Sequence, residues 1–417
     1  MTQRVLLLVT PKTYRAQAFI DAAHKLNVEV VKAVDVPDDL AEPWRDAFAV
    51  RFGHVEAAAE KIVAHAATQP IDAILSVDDS ASVVAARACQ QLGLPHNSPH
   101  AAEAARNKYL MRTLLKAGGV QVPNFKLFHT ADVVGDIVSQ VTFPCVVKPL
   151  DLNGSRGVIR ADDARQLDAA IKRLTKLLYA LDPSPDPKPF LIEDFIPGFE
   201  VALEGLLDHG DMKVLALFDK PDPLDGPFFE ETIYVTPSRL SLEVQHAIFK
   251  CAEDSARALG LHEGPMHAEL RVNDRGPWLV EVAGRSIGGL CSQTLRFAQS
   301  ADVTLEELIL RQALGLSLDT LDREQQAGGV MMLPIPGEGL LRAVTGVEDA
   351  KAVTGIEDVE ITARLNYPIV PLPEGESYLG FIFARGDTPE LVEAALREAH
   401  SKLKFRIDPI IQLTLNK

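Results

Sequence analysis

Cysteine is scarce in this chain: four in 417 residues, Cys89, Cys145, Cys251 and Cys291, with no CxxC pair and no histidine at ligand spacing. That excludes a disulfide scaffold or zinc ribbon and points to reduced, mostly buried thiols in an intracellular protein. No apolar run approaches the ~20 residues that span a bilayer. A strand, RVLLLVT, starts almost at once without a leader's apolar length and cleavage site, so a secretory signal is not expected and a cytoplasmic location is. Basic residues are outnumbered 42 to 58, a net charge of −16, which argues against a nucleic-acid or anionic-membrane partner. Neither GxGxxG nor GxxxxGK[ST] occurs, excluding the two commonest phosphate-binding loops. Repeats and low-complexity tracts are lacking as well.

What is there is a globular composition, 47% hydrophobic and 24% charged, long enough for two to four packed units. Residues 1–100 alternate strand and helix (strands at 5–9, 28–31 and 71–77, helices at 16–26 and 82–92), which predicts a small parallel α/β sheet. Asp78 and Asp79 end the third of these strands, where such sheets place ligands, although helix N-caps use the same residues. Residues 101–190 open with one helix, AAEAARNKYLMRTLLKAGG, which carries Lys108. FPCVVKP is then a strand presenting Lys148, followed by a hairpin, DLNGSRGVIR, whose Gly154 and Gly157 let backbone N–H groups approach an anion. DPSPDPKP at 182–189 is an extended connector.

Residues 191–325 hold strands at 190–195, 201–207 and 213–218, the last ending at Lys220. A long loop at 221–238 carries Glu230 and Glu231, and a helix covers 242–259. Residues 326–417 form a last α+β unit, with strands at 330–333, 359–361 and 378–384 and a helix at 390–403, read as a cap over the site.

The centre of the chain is HAELRVNDRGPWLVEVAGRSIGG, residues 267–289. His267, Glu269 and Arg271 alternate with Ala268, Leu270 and Val272, and Trp278, Val280 and Val282 with Glu281, around the turn NDRGP. Pairing Val272 with Trp278 places Glu269 opposite Glu281. Facing carboxylates repel by roughly 0.2–1 kcal/mol, and a hard divalent cation between them reverses the sign.

In this order the motifs resemble the ATP-grasp ligases over roughly residues 1–320. The expected architecture is an ATP-grasp fold, α/β and α+β multidomain, with an N-terminal parallel-sheet domain and a C-terminal α+β cap. Lys108 in RNKYLMR and Lys148 in VVKP are similar to the family's two nucleotide lysines. NGSRG, with Gly154, Ser155 and Gly157, resembles the loop over the β and γ phosphates. LIEDFIPGFE resembles the adenine hinge, implying Glu193, Asp194 and Ile196 at the adenine edge and Glu200 on the ribose. The resemblance makes Glu269 and Glu281 the metal carboxylates and Arg285 the phosphate-binding arginine. Ala283 departs from the asparagine that many members carry. The segment GPFFEETIYVTPS and the C-terminal unit resemble the L-amino acid ligase subgroup, with its biotin-carboxylase-like end.

The implied reaction is ATP-dependent ligation of a carboxylate to an amine through an acyl phosphate, with ATP and Mg²⁺ (Mn²⁺ as its substitute) as cofactors. Joining two L-amino acids into a dipeptide is the favoured outcome. Arg285, Gly288 and Gly289 are expected at the acyl phosphate and oxyanion, and Glu230, Glu231 and Lys220 at the amino-acid substrate. A carboxyphosphate-forming enzyme akin to biotin carboxylase, or a nucleotide-binding regulatory module without turnover, are the alternatives. Expected partners are small molecules, and a homodimer is the common assembly.

Overall fold

The computed structural model describes residues 2–40, 47–298, 302–318 and 321–410. The N-terminal strands β1 (Arg4–Val9), β2 (Glu29–Asp35), β3 (Ala47–Val50) and β4 (Ala73–Ser76) form a parallel sheet in the order β3-β2-β1-β4. Leu6 to Leu8 are fully buried, as expected for a strand covered by helices on both faces.

Helices Pro99–Arg106 and Lys108–Ala117 follow. The sequence reads them as one, but the Asn107 side chain accepts from the Leu110 N–H at 3.0 Å and starts a second helix. A capping asparagine favours its own turn over helix continuation. Lys108 therefore occupies a first turn instead of a mid-helix face.

Strands β5 (Phe125–His129), β6 (Cys145–Pro149), β7 (Ile159–Ala161) and β8 (Pro189–Asp194) make an antiparallel sheet ordered β5-β8-β6-β7. The amphipathic helix Ala164–Leu181, absent from the sequence reading, packs Leu167, Ile171 and Leu174 against it.

Next come β9 (Phe199–Asp208), β10 (Asp211–Lys220), β11 (Ile233–Thr236), β12 (Gly264–Asn273) and β13 (Gly276–Ala283). β11 lies inside the stretch 221–238 read as loop. It pairs with β10 through Asp219 and Val235 and along its length with β14, partners too distant in sequence to be foreseen. The C-terminal strands are β14 (Ala327–Leu333), β15 (Gly339–Thr345), β16 (Ile356–Ile361), β17 (Pro368–Ile369), β18 (Gly380–Gly386) and β19 (Lys404–Asp408). Three of them complete an eight-stranded sheet, β13-β12-β9-β10-β11-β14-β18-β16, and the others form β17-β15-β19.

One face of the large sheet is apolar. Val201, Leu203, Ala268, Leu270, Leu279 and Val282 pack on helix Leu242–Leu259 and its neighbours. Because side chains alternate along a strand, the intervening residues of β9 and β12 face the other way. No helix among the described residues is long and apolar enough to cross a membrane.

Candidate active site

The hairpin β12–β13 sets the site's floor. Its register differs from the expected one: Val272 pairs with Pro277 and Arg271 with Trp278, one residue out of step. A bulge follows between Glu269 and Leu270, and beyond it Glu269 does stand opposite Glu281. The extra residue of the bulge also moves the apolar face. Leu279 and Val282, not Trp278 and Val280, enter the helix-side core, while Val280 turns to the cleft with Glu281.

Along β12 and β9 the cleft face carries three cross-strand pairs in a row: Arg271 with Glu200, Glu269 with Ala202, and His267 with Glu204. Arg271 donates to Glu200 at 2.7 Å and to the Ile196 carbonyl at 2.8 Å. Lys220, at the end of β10, reaches Glu231 at 2.6 Å, Glu200 at 2.8 Å and Glu269 at 3.4 Å. Burial raises the Glu231 carboxyl and the Glu269 charge adds to it, so that despite Lys220 it is pushed up to about 7. Carboxylate oxygens of Glu200, Glu231 and Glu269 all lie within 4.8 Å of one another. Three acids share one lysine, with Arg271 answering only Glu200. Such a surplus of hard oxygen donors fits a divalent cation; Glu281, across the hairpin from Glu269, is not one of the three and is paired with Lys108.

Both expected lysines arrive at this floor. Lys108 donates to Glu281 at 3.2 Å and to the Leu152 carbonyl at 2.8 Å. Lys148, from β6, stands 2.5 Å from Glu193, which Arg112 holds from its other side at 2.8 Å. Burial pushes Glu193 up, but the two cations outweigh it and hold the carboxyl at about 2. Burial lowers Lys148, an effect that Glu193 only partly offsets.

Loops from separate parts of the chain form the rim of a cleft of about 830 Å³. Gly154, Ser155 and Gly157 all have left-handed backbones, with φ of 60°, 55° and 74°. The 285–289 loop is held by the N-terminal sheet. Arg285 pairs with Asp79 at 2.8 Å, and Arg15 donates to the Ser286 carbonyl at 3.0 Å. Asp78 accepts from Thr10 and Thr13 at 3.0 and 3.2 Å and makes no side-chain cap, so at both aspartates the contacts outweigh the capping alternative. The Gly289 N–H, expected at an oxyanion, donates to the Tyr14 hydroxyl at 3.0 Å, whereas an added Cβ at Gly288 would meet nothing within 4 Å.

Of the expected site residues, Lys108, Lys148, Gly154, Ser155, Glu193, Asp194, Ile196, Glu200, Glu231, Glu269, Glu281, Arg285, Gly288 and Gly289 line this one cleft. Three do not. Gly157 lies behind the hairpin, its Cα facing Leu174 and Pro149. Lys220, 3% exposed, is beneath the floor and bound by its three acids. Glu230 is outside the lining, its carboxyl raised by burial. Arg112, Arg271 and Tyr14 were not assigned roles beforehand. Arg271 carried a signal, since it alternates in phase with Glu269, and Arg112 sits one helical turn after Lys108.

Three family models match the chain: an ATP-grasp N-terminal domain at 20–96, an ATP-grasp domain at 141–294 and an L-amino acid ligase C-terminal domain 2 at 331–408. An uncharacterized protein y4rH of Sinorhizobium fredii is 24% identical over 99% of this chain and 84% of its own length. The alanine–anticapsin ligase of Bacillus subtilis is 27% identical over 63% of this chain and 60% of that protein. Among solved structures, L-amino acid ligase from Bacillus licheniformis superposes with a TM-score of 0.81 at 26% identity, covering 98% of this chain and 99% of that one.

Proposed function

We propose that this chain, an ATP-grasp carboxylate–amine ligase, joins two L-amino acids into a dipeptide with release of ADP and phosphate. The observation that carries the reading is that Lys108, Lys148, Glu269, Glu281 and Arg285 line a single cleft. Two relatives named for joining an amino acid, the L-amino acid ligase and the alanine–anticapsin ligase, support the choice of substrate.

ATP would lie with its phosphates toward Lys108 and Lys148, beneath Gly154 and Ser155. Glu193 would keep Lys148 in place near the adenine edge formed by Asp194 and Ile196, and Glu200 would face the ribose. A substrate carboxylate attacks the γ phosphorus, breaking its bond to the β-bridging oxygen and giving an acyl phosphate and ADP. The amine of the second amino acid then attacks the acyl carbon, loses a proton, and phosphate departs. Glu269 and Glu281 would hold Mg²⁺, which when bound would supply charge neutralisation at the transferred phosphoryl group. Arg285, oriented by Asp79, would meet the acyl phosphate, with the open backbone at Gly288 beside the oxyanion. Glu231 would meet a substrate ammonium.

The test is a phosphate-release screen with ATP, Mg²⁺ and all pairs of the common amino acids, with mass analysis of the products. Phosphate release accompanied by a dipeptide mass is the expected result. Bicarbonate-dependent ADP release without any amino acid would replace this reading with a carboxyphosphate-forming one.

A further inference from the structure

We propose that Glu204 and His267 are positioning residues, a buried pair that fixes the carboxylate of Glu269 and the 285–289 loop in one frame. The roles of Glu269 and the loop rest on the ligase reading; the contacts do not.

Glu204 is wholly buried and His267 is 6% exposed. They are direct cross-strand partners on β9 and β12, among apolar neighbours Ala202, Leu206 and Ala216. A carboxylate and an imidazole are poor choices for filling such a space, since an apolar pair would be buried at no cost in desolvation. Their contacts supply the reason for them. Glu204 Oε2 accepts from the Ile287 N–H at 3.0 Å and stands 3.4 Å from His267 Nδ1. The opposite ring nitrogen, Nε2, is 3.4 Å from Glu269 Oε1. One continuous line thus runs from the backbone of the 285–289 loop, through Glu204 and the imidazole, to Glu269.

The line is slack. Glu204 and His267 Nδ1 approach within ion-pair distance but off a hydrogen-bonding direction, leaving Glu204 Oε1 and His267 Nδ1 without hydrogen-bond partners. Buried polar atoms left unpaired are uncommon and call for a functional or structural cause. Glu269 is meanwhile drawn the other way by Lys220, 3.4 Å distant. On the opposite side the imidazole of His267 is the partner set against that pull. A carboxylate that is to hold a cation needs its orientation set by such a partner.

The experiment is an electron-paramagnetic-resonance titration of Mn²⁺ in the presence of ADP, on protein whose folding is followed by circular dichroism. His267→Leu and Glu204→Leu are expected to weaken Mn²⁺ binding about tenfold or more, while His267→Gln and Glu204→Gln, which keep hydrogen-bonding groups in place, stay within about threefold of wild type. If Glu204→Leu does not fold, the two His267 variants decide the matter. A folded His267→Leu protein that binds Mn²⁺ as tightly as wild type, with only its melting temperature lowered, overturns the proposal. A wild-type protein that turns over no amino-acid pair would defeat the ligase reading, and the Mn²⁺ titration would still judge the positioning role on its own.

Discussion

The floor and the rim of the cleft are built on different principles. The floor is one antiparallel sheet, where Glu200, Glu204, His267, Glu269, Arg271 and Glu281 are placed by strand alternation and cross-strand register. The rim gathers loops more than two hundred residues apart. Arg156 donates to the Glu374 carbonyl at 2.9 Å, the Gly157 N–H to the Pro373 carbonyl at 2.8 Å, and the Gly289 N–H to Tyr14. Most floor groups are buried and over-determined by charge, whereas several rim pairs are exposed. Substitutions in the floor should therefore stop the chemistry or unfold the protein, and those at the rim should adjust binding, with the exception of Arg285, which the proposed reaction brings to the acyl phosphate.

The sharpest break is Glu281→Ala, expected to abolish phosphate release in the amino-acid screen while leaving the circular-dichroism spectrum intact; surviving turnover would refute the metal assignment. Arg285→Ala is next, with kcat expected to fall roughly 10²–10³-fold, the usual loss for a group that stabilises developing charge. A pure KM effect would instead assign Arg285 to substrate binding. Glu193→Gln leaves Arg112 and Lys148 buried with less compensation, a change that costs about 3–5 kcal/mol when a buried pair is broken, measurable by urea unfolding at pH 7. The pH dependence follows from the carboxyl's depression from 4.5 to about 2. The ion pair's contribution is present above the unfolded value and is lost as pH falls toward 2. Wild type and Glu193→Gln should accordingly converge in stability over that window. The smallest effect belongs to the rim. Arg156→Ala removes a pair with Glu376, whose side chain is 56% exposed, so the KM for ATP should rise no more than about fivefold, equivalent to about 1 kcal/mol. A larger loss would mean that the rim, too, is rigid.

The same division governs what the sequence could tell. Alternation in HAELR put His267, Glu269 and Arg271 on one face, and the turn NDRGP brought Glu269 opposite Glu281. Yet the pairing of Val272 with Trp278 is wrong, because a bulge has no local signature when every residue around it is compatible with a strand. Asn107 could have been read as a cap, and the continuous apolar spacing on either side of it hid the break. The ion pair between Arg112 and Glu193 spans 81 positions, and Arg285 with Asp79 spans 206. Motif order places such residues in one neighbourhood, but only the assembled fold shows which of them touch. Tyr14, Arg15 and Glu376 lie in stretches with no motif at all, and sequence reasoning passed them over.

One feature of the large sheet constrains how this protein can be divided. β14 pairs with β11 from Ile233 to Thr236, and β18 and β16 follow it. A truncation ending before Ala327 would strip β11 of its neighbour and expose a fringe of unbonded amides and carbonyls, the template on which sheets stick together. The catalytic half should therefore precipitate when expressed alone, and swapping the C-terminal part between relatives would succeed only when three strands travel with it.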